Sequence, residues 1–363
     1  MFSTTDPSPQ ANDTASTHLR LLLFRIHLEL LHFVVYHVAS LTESHTTRKK
    51  QVAKNPVPSI INHTELATAN VVYLLLPFDR SSGLAGAEHG PEAIRHILDT
   101  QIEFFEPITE TTPIEYLRIT HQELKNLHAC SAEKMVRRVY QAHQMSLFMN
   151  VPFVIGLGGD HSVSIGIFKS IARKYRGKDL PTIVQIDAHF DLRESDVDFR
   201  NDPVGIYAHC SVMRRAAELG FPIVSLGIRS FSREELAYVE THKQQFSVYY
   251  WNRVRHDHEP PLGSILHAIK TRDVYLTIDV DGIDPSHMPA TGTPVQNGLG
   301  WAYTIDFLNA LFRHKNVIGM DIVEVAPPLG ETNLTAYGAA QLSYMCVALK
   351  YSEQLKQAPP ARD

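Results

Sequence analysis

Short apolar runs rich in β-branched residues recur along the chain at 71–76, 153–157, 182–186, 223–227, 246–250, 273–279 and 316–322. Segments of helical period lie between them, at 132–149, 162–175, 209–219, 232–243, 303–313 and 333–350. Strand alternating with helix this often builds a mostly parallel, doubly wound sheet with helices on both faces. No repeat of fixed period and no internal linker interrupts the pattern, so residues 61–363 read as one α/β domain. In such sheets ligands bind beyond the carboxyl ends of the strands. Polar clusters that follow apolar runs are therefore the residues to inspect.

The first 60 residues differ in kind. Residues 1–17 are rich in Ser, Thr, Asp, Asn and Pro, a composition that cannot bury a core. The apolar stretch 18–41 contains Arg20, Arg25 and Glu29, which spoil it as a membrane span. It begins too late and is too often charged for a secretory signal. It reads as an amphipathic helix that packs on the domain or on a partner. An organelle-targeting segment and an upstream stretch joined to the gene in error are the alternatives. Residues 46–59 read as a linker.

The net charge of −5, with no basic run longer than Arg48–Lys50, argues against a nucleic-acid protein. Cys130, Cys210 and Cys346 are odd in number and far apart. That spacing fits a reducing, cytoplasmic setting and disfavours a disulfide scaffold or a thiolate zinc site.

Three polar clusters follow apolar runs. The first, GLGGDHSVSIG at 156–166, is a strand, a glycine turn and then Asp160, His161 and Ser162 opening a helix. Asp160 or Ser162 could cap that helix, and His161 would point outward. The second, IVQIDAHFDLRE at 183–194, delivers Asp187, His189 and Asp191 at alternate positions, on one side of an extended segment. The third, LTIDVDGIDPSHMPATGTP at 276–294, repeats the device with Asp279 and Asp281. Either of the first two alone is compatible with an ordinary helix start or a polar turn. Together they place several carboxylates and two imidazoles on one edge of one sheet. Uncompensated carboxylates so placed repel one another and rise in pKa. A pair of divalent cations removes the conflict, and carboxylate with imidazole suits Mn²⁺, with Ni²⁺, Co²⁺, Fe²⁺ or Zn²⁺ possible.

G-G-D-H-S, D-A-H-x-D and D-V-D-G-x-D-P, in that order, resemble the motifs of the ureohydrolase family of arginases and agmatinases. The resemblance runs from about Val71 to the end of the chain. It implies a three-layer α/β/α fold and six metal ligands on two Mn²⁺ ions. By resemblance His161 and Asp191 serve one ion, His189 and Asp281 the other, and Asp187 and Asp279 bridge them. His209, in YAHCSVMRR, stands where the family carries a proton-shuttling histidine. Glu324, in DIVEVAPP, matches the family's guanidinium-binding glutamate. The implied catalytic set is Asp191, His209 and Glu324, with His209 and Glu324 also binding substrate. The implied reaction is hydrolysis of a small guanidino substrate to urea and an amine, by a homo-oligomer, trimer or hexamer.

HCSVMRRA at 209–216, SLGIRSFSREE at 225–235 and GPEAIR at 90–95 resemble the agmatinase-like branch. Agmatine, giving putrescine and urea, is the leading substrate. Guanidinobutyrate, guanidine, arginine and formiminoglutamate are the alternatives. Residues 192–207 lack the small polar run of arginases and carry acids together with Arg193 and Arg200. Val295–Gln296 departs from the agmatinase pattern, and 101–120 matches nothing in it. Two other readings compete: a catalytically weak regulatory member of the family, and a one-metal zinc deacetylase. The full donor set and the second aspartate pair disfavour them respectively.

Overall fold

Strands whose two faces are both buried carry near-continuous apolar sequence, and that is how the inner strands of this protein read. The computed structural model describes residues 59–80, 84–198, 201, 203–251, 259–327 and 333–357. The stretches expected to form an amphipathic helix (18–41) and most of a linker (46–58) lie outside the described residues.

The strands are β1 (Val71–Leu76), β2 (Ile119–Glu123), β3 (Phe153–Gly158), β4 (Thr182–Ile186), β5 (Ile223–Ile228), β6 (Phe246–Tyr250), β7 (Asp273–Asp279) and β8 (Asn316–Val323). They form one eight-stranded sheet of order β2-β1-β3-β8-β7-β4-β5-β6. Every pairing in it is parallel. The described helices are α1 (Gly90–Thr100), α2 (Ala132–Phe148), α3 (Ser164–Lys174), α4 (Val212–Glu218), α5 (Arg233–Thr241), α6 (Leu262–Ala268), α7 (Trp301–His314) and α8 (Leu334–Gln357).

The pleat sorts side chains into two cores. Tyr73 and Leu75 of β1, with Val184 and Ile186 of β4, pack against Ile94 and Ile97 of α1, Phe307 of α7 and Leu342 of α8. Val72 and Leu74, with Ile183, pack against Met135 of α2, Phe168 of α3 and Met213 of α4. Alternate residues of one strand thus serve opposite helix layers, which makes the three-layer α/β/α fold.

Each of the seven apolar runs forms a strand. β2 was not expected: Ile119–Glu123 reads ITHQE, and its exposed edge position tolerates the polar residues that hide it. The helix expected at 333–350 runs on to Gln357.

Strand order brings the polar clusters together. The chain passes from β3 to β4 leaving a gap that β8 and β7 later fill. The carboxyl ends of β3, β8, β7 and β4 are thereby neighbours, although 160 or so residues separate the first cluster from the segment after β8.

Candidate metal centre

Each of the four central strands leads to a polar residue of interest at or just beyond its carboxyl end. After β3, Gly159 turns so tightly that a Cβ there would lie 1.9 Å from the Phe78 carbonyl oxygen, so only glycine fits. Asp160 then caps the short helical turn by accepting from the Ser162 amide at 3.0 Å, and also accepts from the Arg80 amide at 2.7 Å. His161 follows, fully buried. β4 ends at Ile186, and Asp187 accepts from the His189 amide at 2.6 Å. β7 ends at Asp279, which accepts from the Asp281 amide at 2.9 Å. Asp281 in turn accepts from the Ala188 amide at 3.1 Å, stitching the second cluster to the third.

Asp187, His189 and Asp191 do share one side, but not through a strand's pleat. β4 has already ended, and Asp191 sits at φ 54°. Glu324, just beyond β8, sits at φ 64°. Left-handed backbone at two non-glycine residues is strain that the surroundings must hold in place. At Asp191 the surroundings are visible. Its carbonyl accepts from the Met213 and Arg214 amides, and the next amide, of Leu192, donates to Glu235 Oε1 at 3.1 Å.

Six side chains converge. His161 Nδ1 lies 3.0 Å from Asp191 Oδ2, 3.3 Å from Asp187 Oδ2 and 3.5 Å from Asp279 Oδ2. His189 Nδ1 lies 3.1 Å from Asp281 Oδ2 and 3.7 Å from Asp187 Oδ1. Two groups, His161–Asp187–Asp279 and Asp187–His189–Asp281, each have their donor atoms within 4.8 Å of one another. Asp187 belongs to both.

The donor set fits a divalent cation. His161 Nδ1 is buried and makes no hydrogen bond, although carboxylate oxygens surround it. Its Nε2 lies 2.9 Å from Thr277 Oγ1, and the Thr277 hydroxyl donates to Asp321 Oδ1 at 2.5 Å. That assigns the ring proton to Nε2 and leaves the Nδ1 lone pair facing the carboxylates, the arrangement that outer partners impose on metal-binding histidines.

Charge strain agrees. Burial, reinforced by Asp281 and Asp187, raises the Asp279 pKa well above the carboxylate range. Burial and then Asp187 push Asp191 up to about 7. Burial opposes charge on His161, yet Asp187 and Asp191 outweigh it and raise the imidazole's pKa well above its ordinary value. A cluster that draws in protons this strongly is a cluster short of positive charge.

A cavity of about 390 Å³ opens over these groups, lined by His189, Asp191, Asp279, His209 and Glu324, with Arg193 and Asp198 also on its wall. One Glu324 oxygen, Oε1, already accepts from the His161 amide at 2.9 Å. Burial, followed by Asp160, raises the Glu324 pKa well above the usual range. Burial, followed by His189, pushes His209 down to about 4. Arg200, the second arginine of the 192–207 segment, lies outside the described residues.

Several contributors escaped sequence reading. Gln185 donates to Asp187 Oδ2 at 2.9 Å and to the His189 carbonyl at 3.1 Å. Thr293 donates to Asp281 Oδ2 at 3.0 Å. Thr277 and Asp321 hold His161 as described. The available signal was a polar residue inside an apolar run: Gln185 and Thr277 each sit two positions before a clustered aspartate, and Thr277 shares its face of β7 with Asp279.

A family model described as "Arginase family" matches residues 69–348. The N(1)-aminopropylagmatine ureohydrolase of Synechocystis sp. is 34% identical over 301 residues, covering 81% of this chain and 93% of that protein. The agmatinase of Bacillus anthracis is 31% identical over 288 residues, covering 78% of this chain and 92% of that protein. Among solved structures, the formiminoglutamase of Trypanosoma cruzi with Mn²⁺ superposes with a TM-score of 0.69 at 20% identity. The match covers 81% of this chain and 98% of that one, and it is a likeness of fold.

Proposed function

The chain belongs to the arginase family, and on that premise we propose that it hydrolyses agmatine to putrescine and urea with two Mn²⁺ ions per subunit. As an arginase-family ureohydrolase it acts on a C–N bond of a guanidino group. Our domain assignment is one catalytic domain over 61–363. Our metal assignment gives His161 and Asp191 to one ion and His189 and Asp281 to the other, with Asp187 and Asp279 shared. The observation that carries the reading is the Asp187 carboxylate, whose two oxygens face the two imidazoles within one converging donor set. Manganese is further supported by the oxygen- and nitrogen-rich donors and by the Mn²⁺ of the Trypanosoma cruzi relative.

Divalent cations held there by these six side chains would acidify water and so supply hydroxide near neutral pH. The chain's own groups do the rest. Glu324 lines the cavity, and its Oε1 is steadied by the His161 amide. A guanidinium can donate paired N–H bonds to it, and the negative surroundings of Asp160 and Asp79 favour that cation over a neutral ligand. Hydrolysis of the C–N bond gives urea and frees the amine. The amine must gain a proton as it leaves. His209 lines the same cavity and is held neutral, so it can accept a proton and hand it on.

One observation favours a longer substrate as a second reading. The N(1)-aminopropylagmatine ureohydrolase relative has the higher identity of the two reported above. The exposed Asp198 on the cavity wall would suit an additional ammonium. Urea release from agmatine, N(1)-aminopropylagmatine, guanidinobutyrate and arginine, each with Mn²⁺ and with Ni²⁺, tests both readings. Agmatine should give the highest kcat/KM. A preference for the aminopropyl compound replaces the first reading with the second, and urea from none of them ends both. The reading extends to a cytoplasmic setting, which free, buried Cys130, Cys210 and Cys346 suit, and to the homo-oligomer that the family resemblance implies. No helix among the described residues is long and apolar enough to cross a membrane.

A further inference from the structure

Arg229 follows β5, and its guanidinium donates to backbone carbonyls from three separate segments. Nε lies 3.3 Å from the Val295 oxygen and 3.2 Å from that of Gln296. Nη1 lies 3.0 Å from Gly227 O and 3.1 Å from Gly282 O. Nη2 lies 2.6 Å from Asp281 O and 2.7 Å from Val295 O. A guanidinium has five N–H groups in a fixed fork, and this set engages all three nitrogens. The acceptors are neutral carbonyls, so the positive charge is not cancelled by a paired carboxylate among these contacts.

Where those carbonyls sit matters. Asp281 O and Gly282 O belong to the turn that carries the Asp281 carboxylate toward His189. Val295 and Gln296 belong to the loop whose Thr293 hydroxyl donates to Asp281 Oδ2. The backbone of Arg229 reaches the remaining members of the group, since its amide donates to the Ala188 carbonyl at 2.9 Å. Ala188 lies between Asp187 and His189. Its carbonyl also accepts from Ser230, and the Asp187–Ala188 turn packs so closely on Gly282 that a Cβ there would lie 2.5 Å from the Asp187 nitrogen. One residue thus fastens both loops that supply the Asp187–His189–Asp281 group.

We propose that Arg229 is a positioning residue for the Asp187–His189–Asp281 half of the metal centre, acting through the five carbonyls its guanidinium gathers. The proposal rests on the metal-centre reading above. It assigns Arg229 no contact with substrate or with a reacting atom. The His161 half is fastened differently, through Thr277 and Asp321, and the guanidinium touches none of the backbone from 187 to 189 that carries the shared Asp187, so the ion on the Asp281 side should respond more.

The test is Mn²⁺ titration of metal-stripped full-length protein, followed by electron paramagnetic resonance and by elemental analysis. Wild-type protein should bind two ions and show a spin-coupled pair; failure to do so overturns the metal-centre reading itself, whatever Arg229 does. In Arg229→Met the affinity for one ion should fall about 10- to 100-fold, the range typical for lost outer partners of a metal ligand. The coupled signal should give way to that of an isolated ion. Arg229→Lys keeps the charge without the fork and should weaken the same ion less. It also serves as the informative variant should the methionine protein fail to fold. Equal weakening of both ions, or wild-type binding of both in folded protein, overturns the proposal. A merely structural arginine would lower the melting temperature without separating the two ions.

Discussion

Asp187 faces both imidazoles of the centre, with Oδ2 3.3 Å from His161 Nδ1 and Oδ1 3.7 Å from His189 Nδ1. Among the described residues it is the side chain shared by both candidate donor groups. Asp191 differs, because its close contact is with His161 alone of the two histidines, at 3.0 Å. Asp187→Ala should therefore release both cations and abolish urea production. Asp191→Ala should weaken one. Elemental analysis after gel filtration distinguishes them. An Asp187→Ala protein that keeps both ions would refute the shared-ligand assignment.

Glu324→Gln should leave the metal count unchanged and weaken the guanidinium. The glutamine can still accept from the His161 amide, so the local backbone survives. What it lacks is the carboxylate that a guanidinium beside it would stabilise against the upward pull of burial. A hydrogen bond to a charged group contributes about 1.5–3 kcal/mol, so kcat/KM should fall about 10- to 100-fold. Steady-state kinetics with paired metal analysis checks this. Loss of metal in step with activity would make Glu324 a ligand.

His209→Asn removes the proposed proton carrier without emptying the cavity wall. General acid–base groups contribute roughly 10²–10⁴-fold, and the loss should fall on kcat with metal content intact. The pH profile adds a second check. With its pKa held near 4, His209 is neutral throughout the range from pH 5.5 upward. An acidic limb in kcat/KM near pH 6.5 that disappears in the variant would contradict that protonation state.

Legibility followed physical exposure of the pattern. β1, β3 and β4 were readable because both faces are buried and apolar, whereas the edge strand β2 spends its sequence on polar residues. Asp187, His189, Asp279 and Asp281 were readable because alternate spacing advertises a shared side. That spacing gave the right grouping for a partly wrong reason, since the chain has left β4 before the donors begin. In the sequence Arg229 stands out only as part of the family-like stretch 225–235. Its partners are main-chain carbonyls, which every residue possesses, so Val295 and Gln296 can differ from the agmatinase pattern without changing that contact. Thr277 and Asp321 read as strand residues until the strand order sets them behind His161.

Stripped of metal, the protein should lose stability as pH rises from 6.5 to 8. Burial raises Asp160 and Asp191 to about 7, and Asp279 and Glu324 are raised well above their ordinary range. His161 and His189 are raised well above 6.5, because neighbouring carboxylates outweigh their burial. In each case the folded state binds protons that the unfolded chain has released, so stability is greatest below the unfolded pKa and is lost as pH climbs through the folded one. Two histidines act oppositely: burial lowers His143 to about 3 and His209 to about 4. Their contribution grows with pH only up to about 6.5, the ordinary histidine value, and is constant above it. Asp187 is depressed, so its stabilisation is lost only in strong acid. Each excess proton costs about 1.4 kcal/mol per pH unit, and each kcal/mol shifts the melting temperature by roughly 2–4 °C in a large domain. Calorimetry on chelator-treated protein at pH 6.5, 7.2 and 8 should show that decline, and saturating Mn²⁺ should shrink it because the cations replace the protons on those of these groups that are ligands. A metal-free melting temperature that stays level or rises over this interval would mean that the carboxylates are not crowded as the distances indicate.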